Sequence, residues 1–520
     1  MTDSNDQGAN ALKPFIGLFS FVLCLSTPAF SASAPDLVRV DSGRVHGGTR
    51  GDVVVFKGIP YALPPVAALR WRAPQPVAHW TDVREATRFG PACVQAELKI
   101  PGFQLGAPTS EDCLYINVWR PAQASGPLPV MVWIHGGALT VGAASTPMYD
   151  GAQFARHGVV LVSFNYRLGR LGFFAHPALS HEGADGGLVA NYGLMDQIAA
   201  LRWVARNIRA FGGDPRQVTI FGESAGAASV DALMITPAAR GLFQRAIAES
   251  GYGRGPYARL AMATADGKPP AEEDGVALLK SIGVEAHDPA TLRAIPIDRI
   301  RAMPAYGLSG AMFIRDGKLI TEDLWEAFRA GREAPIPFLL GSNSLETPPR
   351  PELGTMSTSM LSQFVRPEEY ARLASAYGGE DELRTNLSSD VTFSGQARSL
   401  SVLHASHGYP TYRYRFAALA ASASDRFKGA PHASELAYVF DNLSDAVWPM
   451  GPRDQALADA VISYWVAFAS SGRPEPSGLP AWPRADGDHI MLFSNEGPSP
   501  PTDDRTGRYD ALAQFADPRS

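Results

Sequence analysis

The stretch FGESAGAASV, residues 221–230, places Ser224 between Gly222 and Gly226, directly after the β-prone run VTI. Clusters of glycine, serine and alanine are common in loops, where a serine usually bonds only to local backbone groups. A strand before the serine and a helix after it favour another interpretation, because the two glycines permit a sharp turn that leaves the serine oxygen above a sheet. The pattern therefore predicts a nucleophilic Ser224, and the dipole of the following helix favours negative charge there.

A serine hydroxyl is a weak nucleophile at neutral pH, so it needs a histidine base and an acid that orients the histidine. We select His432, in the loop KGAPHASELAYVF, although a loop histidine that bonds only to backbone is the alternative. If the chain order is serine, acid, histidine, the acid lies between Ser224 and His432. Glu346 in PFLLGSNSLET follows an apolar, strand-like run, but position alone does not select it over Glu333 or Glu352.

The negative charge that forms on an attacked carbonyl oxygen needs backbone N–H donors held in place beforehand. The glycine-rich stretch IHGGALTVG follows a predicted strand at Val130–Ile134 and can supply such donors, whereas a tight glycine turn without a function is the alternative. His404 and His407, in HASH, could share a helix face, but no third ligand type lies nearby. We therefore expect no metal site and no cofactor.

The elements that must position these residues follow from apolar runs. PVMVWIHGG from Pro129, GVVLVSFNYRLG from Gly158 and VTIFGES read as buried strands of a mainly parallel sheet. Apolar residues at helical spacing predict a helix over residues 192–211 that ends at GGD. Strand, helix and strand in this order predict an α/β fold with Ser224 at the C-terminal end of a strand.

Composition limits the class of protein. The chain has 520 residues, of which 45% are hydrophobic and 19% charged, and its net charge is −6. The length is sufficient for a large core. Because no basic stripe is present, nucleic acid is not an expected partner. We see no internal repeat, low-complexity tract or long linker, so residues 34–520 are predicted to form one large domain.

The N-terminus differs from the rest. Lys13 precedes the apolar run FIGLFSFVLCL, and the small residues STPAFSASA follow, which is the layout of a secretory signal peptide over residues 1–33. The apolar core of about 11 residues is too short for a permanent membrane span. Cleavage before Ala32 or before Ala34 fits equally well. Either leaves two cysteines in an exported, periplasmic or secreted chain; this favours one disulfide over two separate buried thiols.

Several long motifs carry a resemblance to a known family. FKGIPYALPPVAALRWRAPQPVAHW, SEDCLYINVWRP, NYRLGRLGFF, LMDQIAALRWVARNIRAFGGDP, FGESAGAASV and FQRAIAESG occur in the family's order. The chain resembles the type-B carboxylesterases of the carboxylesterase and cholinesterase family over nearly its whole mature length. The resemblance implies an α/β-hydrolase fold, with a large mostly parallel central sheet flanked by helices, and a serine carboxylic ester hydrolase that acts through an acyl-enzyme.

Carried over by position, the resemblance makes Ser224 the nucleophile, Glu346 the acid and His432 the base. It gives the oxyanion hole to the backbone N–H groups of Gly137, Ala138 and Ala225, and it pairs Cys93 with Cys113.

The chain departs from the family pattern in two places. The family usually has glycine after the acid, whereas Thr347 follows Glu346 here. The loop between the two cysteines has Phe103 as its only aromatic residue, where cholinesterases use tryptophan to bind a quaternary ammonium, so a choline ester is disfavoured. A small-molecule ester is the expected partner. A lipase-like or amide-cleaving enzyme with the same triad, or a non-catalytic binding protein of the same fold, are the alternatives.

Overall fold

An eleven-stranded sheet runs through the part of the chain that the structure describes. The structure is a computed structural model, and it describes residues 36–96, 100, 102–252, 256–264, 267–303, 313–347 and 369–515. The predicted leader, residues 1–33, and Glu352 lie outside the described residues.

The strands of this sheet are numbered here in chain order. They are β1 Gly48–Arg50, β2 Val53–Pro60, β3 Tyr115–Pro121, β4 Leu128–Ile134, β5 Val160–Phe164, β6 Gly213–Glu223, β7 Arg245–Glu249, β8 Phe338–Asn343, β9 Thr411–Phe416, β10 Met491–Ser494 and β11 Gly497–Ser499. Short strands form smaller sheets: Leu37–Val40, Gly43–His46 and Val83–Glu85 together, and the pairs Ala92–Cys93 with Thr109–Ser110, Phe173–Phe174 with Ala190–Asn191, and Ala258–Arg259 with Ile314–Arg315.

The order across the large sheet is β11-β10-β9-β8-β7-β6-β4-β5-β3-β2-β1. Neighbours from β10 to β5 run parallel, and the pairs at the two edges run antiparallel. The sheet is therefore mostly parallel, as the sequence predicts.

The apolar run of the central strand β4 is continuous because both faces of the strand are buried. Val130, Val132 and Ile134 belong to the core on one face of the sheet, while Met131 and Trp133 belong to the core on the other face. Successive side chains of a strand point to opposite faces. A parallel strand covered on both faces must therefore be apolar at every position, and the sequence shows this.

Five helices concern the site: α1 Tyr192–Asn207, α2 Ala225–Ile235, α3 Glu380–Ser389, α4 Gly395–Ser406 and α5 Pro452–Ser471. A π-helical turn, Asp390–Ser394, joins α3 to α4. The other α-helices of the described ranges are Ala152–Arg156, Gly169–Gly172, Pro177–Glu182, Ala271–Ser281, Pro289–Arg293, Ile297–Arg301, Leu324–Arg329, Tyr370–Ala376, Leu436–Val439 and Thr506–Phe515.

The predicted helix over residues 192–211 differs slightly from the structure. The α-helix α1 ends at Asn207, and a 3₁₀ turn, Ile208–Phe211, continues it. Gly212 then takes a φ of 83°, a left-handed conformation that glycine adopts without strain, and the chain turns into β6.

Parallel pairing places the C-terminal ends of three strands side by side. Glu223 at the end of β6 is opposite Glu249 at the end of β7, and Glu249 is opposite Gly341 in β8. Ser224 follows β6 directly, and Glu346 lies three residues beyond Asn343, the last residue of β8. This edge of the sheet holds the candidate site.

Candidate active site

Ser224 stands at the sharp turn between β6 and α2. Its φ of 58° and ψ of −120° are strained for a residue other than glycine. A Cβ on Gly222 would lie 2.6 Å from the backbone carbon of Gly226, and one on Gly226 would lie 2.0 Å from the carbonyl oxygen of Ile134. Only glycine fits at both positions, so the sequence pattern around Ser224 follows from the close packing of this turn.

His432 lies between Ser224 and Glu346. Its Nε2 atom is 2.9 Å from the Ser224 Oγ, and its Nδ1 atom is 2.6 Å from Oε2 of Glu346. The backbone N–H of His432 also donates to the carbonyl oxygen of Glu346 at 3.1 Å. The side chain of His432 is 30% exposed and that of Glu346 is fully buried, so the imidazole is open to an incoming molecule on one side.

Glu346 is held by two further donors. The Ser250 hydroxyl and the backbone N–H of Asn343 both donate to Oε1 at 2.6 Å, which leaves Oε2 for His432. Thr347, at the position where the family usually has glycine, donates its backbone N–H to the Ser389 hydroxyl at 3.0 Å. The Thr347 hydroxyl, which glycine would lack, lies 3.1 Å from the same Ser389 Oγ, so the departure from the family pattern adds a side-chain contact between the loop that carries Glu346 and the end of α3.

Glu333, the described alternative to Glu346, is engaged elsewhere. One of its oxygens lies 3.0 Å from Nδ1 of His404 and 3.1 Å from Nδ1 of His407. His404 belongs to α4, whereas His407 follows the end of that helix. Among the residues that the structure describes, no group of three or more histidine, cysteine or acidic side chains is placed to hold a metal ion.

The glycine-rich loop after β4 packs against the turn that carries Ser224. A Cβ on Gly136 would lie 3.3 Å from the Ser224 Cβ. Gly137 (φ 104°), Ala138 (φ 53°) and Leu139 (φ 55°) are consecutive residues with positive φ, which curls the backbone into a tight loop. This placement brings the N–H groups predicted to stabilise an oxyanion to the same corner as the serine.

Both ends of this loop are anchored. His135 lies 4.4 Å from the Tyr166 ring in a stacked arrangement, and its Nδ1 is 2.9 Å from the Gly136 carbonyl oxygen. Burial lowers the pKa of His135 to about 4, so the ring is neutral at neutral pH. At the other end, the side-chain amide of Gln95 accepts the Gly142 N–H at 2.7 Å and donates to the Gly142 carbonyl at 2.8 Å. The loop is therefore fixed before any substrate arrives.

Three buried glutamates next to the site were missed by the sequence analysis. Oε1 of Glu223 lies 3.1 Å from Nε2 of His432, Glu435 accepts a hydrogen bond from the side chain of Asn343, and Glu249 accepts one from the Trp465 indole at 2.7 Å. Glu223 and Glu249 end neighbouring parallel strands, and this strand-end position was the available signal. Glu435, three residues after His432, gives no signal in the sequence.

Burial controls the protonation of this cluster. It raises the pKa of Glu223 to about 7 and that of Glu435 to about 8, and it raises the pKa of Glu249 well above the usual value. Burial alone would lower the pKa of His432, but the carboxylates of Glu223 and Glu346 outweigh it and raise the pKa to about 10. Glu223, Glu435 and His432 therefore share protons and titrate as a set.

A ring also packs on the histidine. The Phe393 ring centroid lies 4.7 Å from that of His432. Phe393 belongs to the π-helical turn, and the next residue, Ser394, accepts a 2.9 Å hydrogen bond from Ser342 of β8. Single π turns occur frequently at functional sites. Here the turn brings an aromatic ring against the imidazole while its neighbour bonds to the strand before Glu346.

Cys93 and Cys113 form a disulfide that closes a loop across a sequence separation of 20. Inside this loop, a Cβ on Gly102 would lie 2.3 Å from the carbonyl oxygen of Asp445, and the Phe103 ring is 6.4 Å from that of Tyr149. The loop therefore rests on the segment that follows His432 in the chain. No helix in the described ranges has the length and apolar character needed to cross a bilayer.

The mostly parallel sheet, the strand–serine–helix turn and the adjacent acid and histidine define an α/β hydrolase. The chain belongs to the carboxylesterase family, which it matches over residues 34–347 and 369–504. This confirms the predicted family and fold, and it establishes the chain as a carboxylic ester hydrolase.

Individual relatives agree with the family. The chain is 37% identical to fumonisin B1 esterase of Sphingopyxis macrogoltabida, over 95% of this chain and 92% of that protein. It is 35% identical to para-nitrobenzyl esterase of Bacillus subtilis, over 86% of this chain and 92% of that protein. A solved thermophilic PNB esterase, 32% identical, superposes with a TM-score of 0.80 and covers 92% of this chain and all of its own.

Proposed function

We propose that Ser224, His432 and Glu346 hydrolyse carboxylic esters as a catalytic triad. The observation that supports this most directly is the chain of two contacts, 2.9 Å from the Ser224 Oγ to Nε2 of His432 and 2.6 Å from Nδ1 to Glu346. Nucleophile, base and orienting acid are thus within hydrogen-bond reach in the order that the chemistry requires.

Acylation begins when Oγ of Ser224 attacks the ester carbonyl carbon and its proton moves to Nε2 of His432. The carbonyl π electrons move to the oxygen, which the backbone N–H groups of Gly137, Ala138 and Ala225 stabilise. The tetrahedral intermediate then collapses, the bond to the alcohol oxygen breaks, and His432 returns the proton to the leaving alkoxide. An alcohol and an acyl-enzyme result.

Deacylation repeats these steps with water. His432 takes a proton from a water molecule, whose oxygen attacks the acyl carbon, and the bond to Oγ breaks as the proton returns to Ser224. The carboxylic acid then leaves. Glu346 keeps its charge throughout, because its role is to orient the imidazole and stabilise the imidazolium.

The relatives' names support esters as substrates, since one is a fumonisin B1 esterase and another a para-nitrobenzyl esterase. We therefore propose small-molecule esters, rather than amides or lipid aggregates, as the substrates. An amide-cleaving enzyme would release p-nitroaniline from a matched anilide at a rate comparable to the ester, and a lipase-like enzyme would gain activity once a triglyceride forms an interface.

The test measures hydrolysis of p-nitrophenyl esters of increasing acyl length by the purified mature protein. We expect Ser224→Ala to fold normally, to lose at least about 10⁴-fold in kcat and to escape covalent labelling by an organophosphate. Ser463→Ala, which alters a hydroxyl on α5 bonded to the Asp459 carbonyl, is the control and keeps its turnover. Near wild-type turnover in a folded Ser224→Ala protein would contradict the triad. A wild type that binds esters without cleaving them would support a binding protein.

We also propose that residues 1–33 are removed and that the mature protein, one domain over residues 34–520, is exported to the periplasm or the medium. The Cys93–Cys113 pair supports this, because disulfides persist in oxidising compartments. Intact-mass measurement of the exported protein, alkylated with and without reductant, is the test. Two thiols that alkylate before reduction, or an N-terminus at Met1, would contradict export with a closed disulfide.

A further inference from the structure

Gln95 is a buried residue whose side-chain amide bonds to the end of the glycine-rich loop after β4. We call this loop, residues 136–142, the oxyanion loop. Oε1 of Gln95 accepts the backbone N–H of Gly142 at 2.7 Å, and Nε2 donates to the carbonyl oxygens of Gly142 at 2.8 Å and of Cys93 at 2.9 Å. The amide oxygen thus faces an N–H group and the amide nitrogen faces two carbonyls, which fixes the orientation of the amide. Gln95 therefore satisfies both backbone groups of Gly142, as a neighbouring strand would.

The peptide group that Gln95 holds packs against a predicted oxyanion donor. The N–H of Gly142 and the carbonyl of Val141 belong to this one planar peptide group. A Cβ on Gly137 would collide with that carbonyl oxygen, so the two backbones are in close contact. Thr140 and Val141 also donate their backbone N–H groups to the Gly137 carbonyl oxygen, at 3.0 and 2.9 Å. Gly137 is therefore held by the same peptide group and turn that Gln95 anchors.

Gly142 also packs against the start of the oxyanion loop. A Cβ on Gly142 would lie 2.5 Å from the carbonyl oxygen of Gly136 and 2.7 Å from Nδ1 of His135. The loop is thus folded back on itself, with its last residue against its first. Because Gly136 in turn packs on Ser224, a shift of Gly142 would move the backbone that lies next to the nucleophile.

A second side-chain amide joins the same two parts of the chain. Oδ1 of Asn165 accepts the backbone N–H of Ala144 at 2.9 Å, and Nδ2 of Asn165 donates to the carbonyl oxygen of Pro91 at 2.9 Å. The segment that carries Gln95 is therefore bound to the segment after the oxyanion loop by contacts other than the disulfide. This gives Gln95 a firm base from which to hold Gly142.

We propose that Gln95 is a positioning residue of the oxyanion hole, because the peptide group it holds fixes the backbone N–H groups of Gly137 and Ala138. The inference rests on the proposed function, since it assumes that these N–H groups receive the carbonyl oxygen of an ester attacked by Ser224. Such donors are effective only when they are held in place at the position where negative charge develops. A displacement of about 1 Å can cost on the order of 10²-fold in rate, even when its cause lies away from the reacting atoms.

The test uses Gln95→Met, which keeps the length of the side chain and removes its amide. Single-turnover stopped-flow measurements, with enzyme in excess over a p-nitrophenyl ester, give the acylation rate constant and the Kd of the ester separately. The oxyanion exists in the transition state and not in the bound ester. We therefore expect the acylation rate constant to fall about 10- to 100-fold and the Kd to change less than about threefold.

Two inhibitors of equal chain length separate the oxyanion hole from the rest of the pocket. With a trifluoromethyl alkyl ketone, Oγ of Ser224 bonds to the carbonyl carbon, the serine proton moves to His432, and the carbonyl π electrons move to the oxygen. The matching methyl ketone is far less electrophilic and binds as the intact ketone. In Gln95→Met, the affinity for the trifluoromethyl ketone should fall about 10- to 100-fold, and that for the methyl ketone should change less than about threefold.

Gln75→Met is the matched control. The Gln75 amide donates to the Ala73 carbonyl oxygen at 2.9 Å and to Asp185 at 3.4 Å, so the same substitution removes an amide that bonds to another part of the chain. We expect the acylation rate constant and both inhibitor affinities to stay at wild-type values. Gln95→Asn is the second variant, because its shorter side chain keeps an amide but cannot reach both groups of Gly142. It should show the same changes as Gln95→Met.

A folded Gln95→Met or Gln95→Asn protein with the wild-type acylation rate constant and trifluoromethyl ketone affinity overturns the proposal. An equal loss of affinity for both ketones also overturns it, because the damage would then extend to the whole pocket. Failure of both variants to fold would make Gln95 a residue of the folding core and would overturn it too. All three results leave the proposed function intact, whereas a wild type that cleaves no p-nitrophenyl ester and binds both ketones equally overturns the proposed function itself.

Discussion

Glu223→Gln tests how the buried glutamates control the catalytic histidine. Glu223 precedes Ser224, is nearly fully buried, and has Oε1 3.1 Å from Nε2 of His432, the atom that must accept the serine proton. Glutamine keeps the size and removes the charge. The variant therefore isolates one electrostatic interaction, while the hydrogen bonds that His432 forms with Ser224 and with Glu346 remain available.

The magnitude follows from the distance. Two full charges 3.1 Å apart interact by about 5 kcal/mol at an effective dielectric constant of about 20. Two factors reduce this value. The pKa of Glu223 is about 7, so the group is only partly ionised at neutral pH, and His432 is 30% exposed to screening solvent. At about 1.4 kcal/mol for each pH unit, we expect the pKa of His432 to fall by roughly 1 to 3 units.

Glu223→Gln is expected to widen the pH range of activity but to lower the maximal kcat. His432 must be neutral to accept a proton, so a lower pKa moves the acidic limb of the kcat/KM profile to lower pH. The same carboxylate stabilises the imidazolium that forms in the transition state, so its removal lowers the plateau of kcat by about 10- to 100-fold. The variant is thus active over a wider pH range and slower at its optimum.

The assay is the pH dependence of kcat/KM from pH 5 to pH 10 with a neutral p-nitrophenyl ester, together with NMR titration of the His432 ring. Glu435→Gln is the control for the size of the effect. Glu435 also raises the pKa of His432, but by less than Glu223 or Glu346 does. Its limb should move in the same direction by a smaller amount. An acidic limb that stays in place in Glu223→Gln, or moves to higher pH, would refute the electrostatic reasoning.

Three further predictions concern the acid, a buried aspartate and the disulfide. Glu346→Gln should lower kcat by roughly 10² to 10⁴ without unfolding the protein, as measured with the same ester; an unchanged kcat would remove Glu346 from the triad. Burial raises the pKa of Asp231 to about 8, so the wild type loses stability as the pH rises from about 4 to about 8. The gain in Tm of Asp231→Asn over wild type should therefore increase across this range. Replacing Cys93 and Cys113 with alanine should cost about 3 kcal/mol of unfolding free energy in denaturant titrations while ester turnover at moderate temperature is mostly retained.

The nucleophile and the strands could be predicted because their signals are local. The two glycines beside Ser224 are required by contacts within a few residues and with β4, and a strand buried on both faces is apolar throughout. The same holds for α1, whose predicted span differs from the structure only in the final 3₁₀ turn.

The acid could not be selected from the sequence, because its selection depends on distant contacts. Glu346 is distinguished from Glu333 by hydrogen bonds to Ser250 and His432, which are 96 and 86 residues away in the chain. Glu333 looks similar in the sequence and instead bonds two histidines near the end of α4. Short-range sequence patterns do not predict these distant partners, so only the resemblance to the family favoured Glu346.

The buried glutamates could not be predicted either, because their burial also depends on contacts distant in the chain. A lone glutamate at a strand end is ordinarily solvated, so the strand-end position of Glu223 and Glu249 indicates that they lie near the site but does not indicate that they are buried. Their burial arises because parallel register puts them opposite each other and because α5 brings Trp465 over Glu249. The control of the His432 pKa is therefore a property of the assembled sheet edge.

Two residues with strained backbone conformations lie at this edge of the sheet, and the neighbouring strands hold both of them in place. Ser224 and Ser250 both have left-handed φ values, 58° and 54°, and each follows a strand directly. Such conformations cost on the order of 1 to 3 kcal/mol each, so the surroundings must supply that free energy. The backbone N–H of Ser224 donates to Glu249 and that of Ser250 donates to Gly341, each on the neighbouring strand. The parallel strands thus hold in strained positions both the serine that attacks and the serine that fixes Glu346, and the rigid sheet sets the distance between nucleophile and acid.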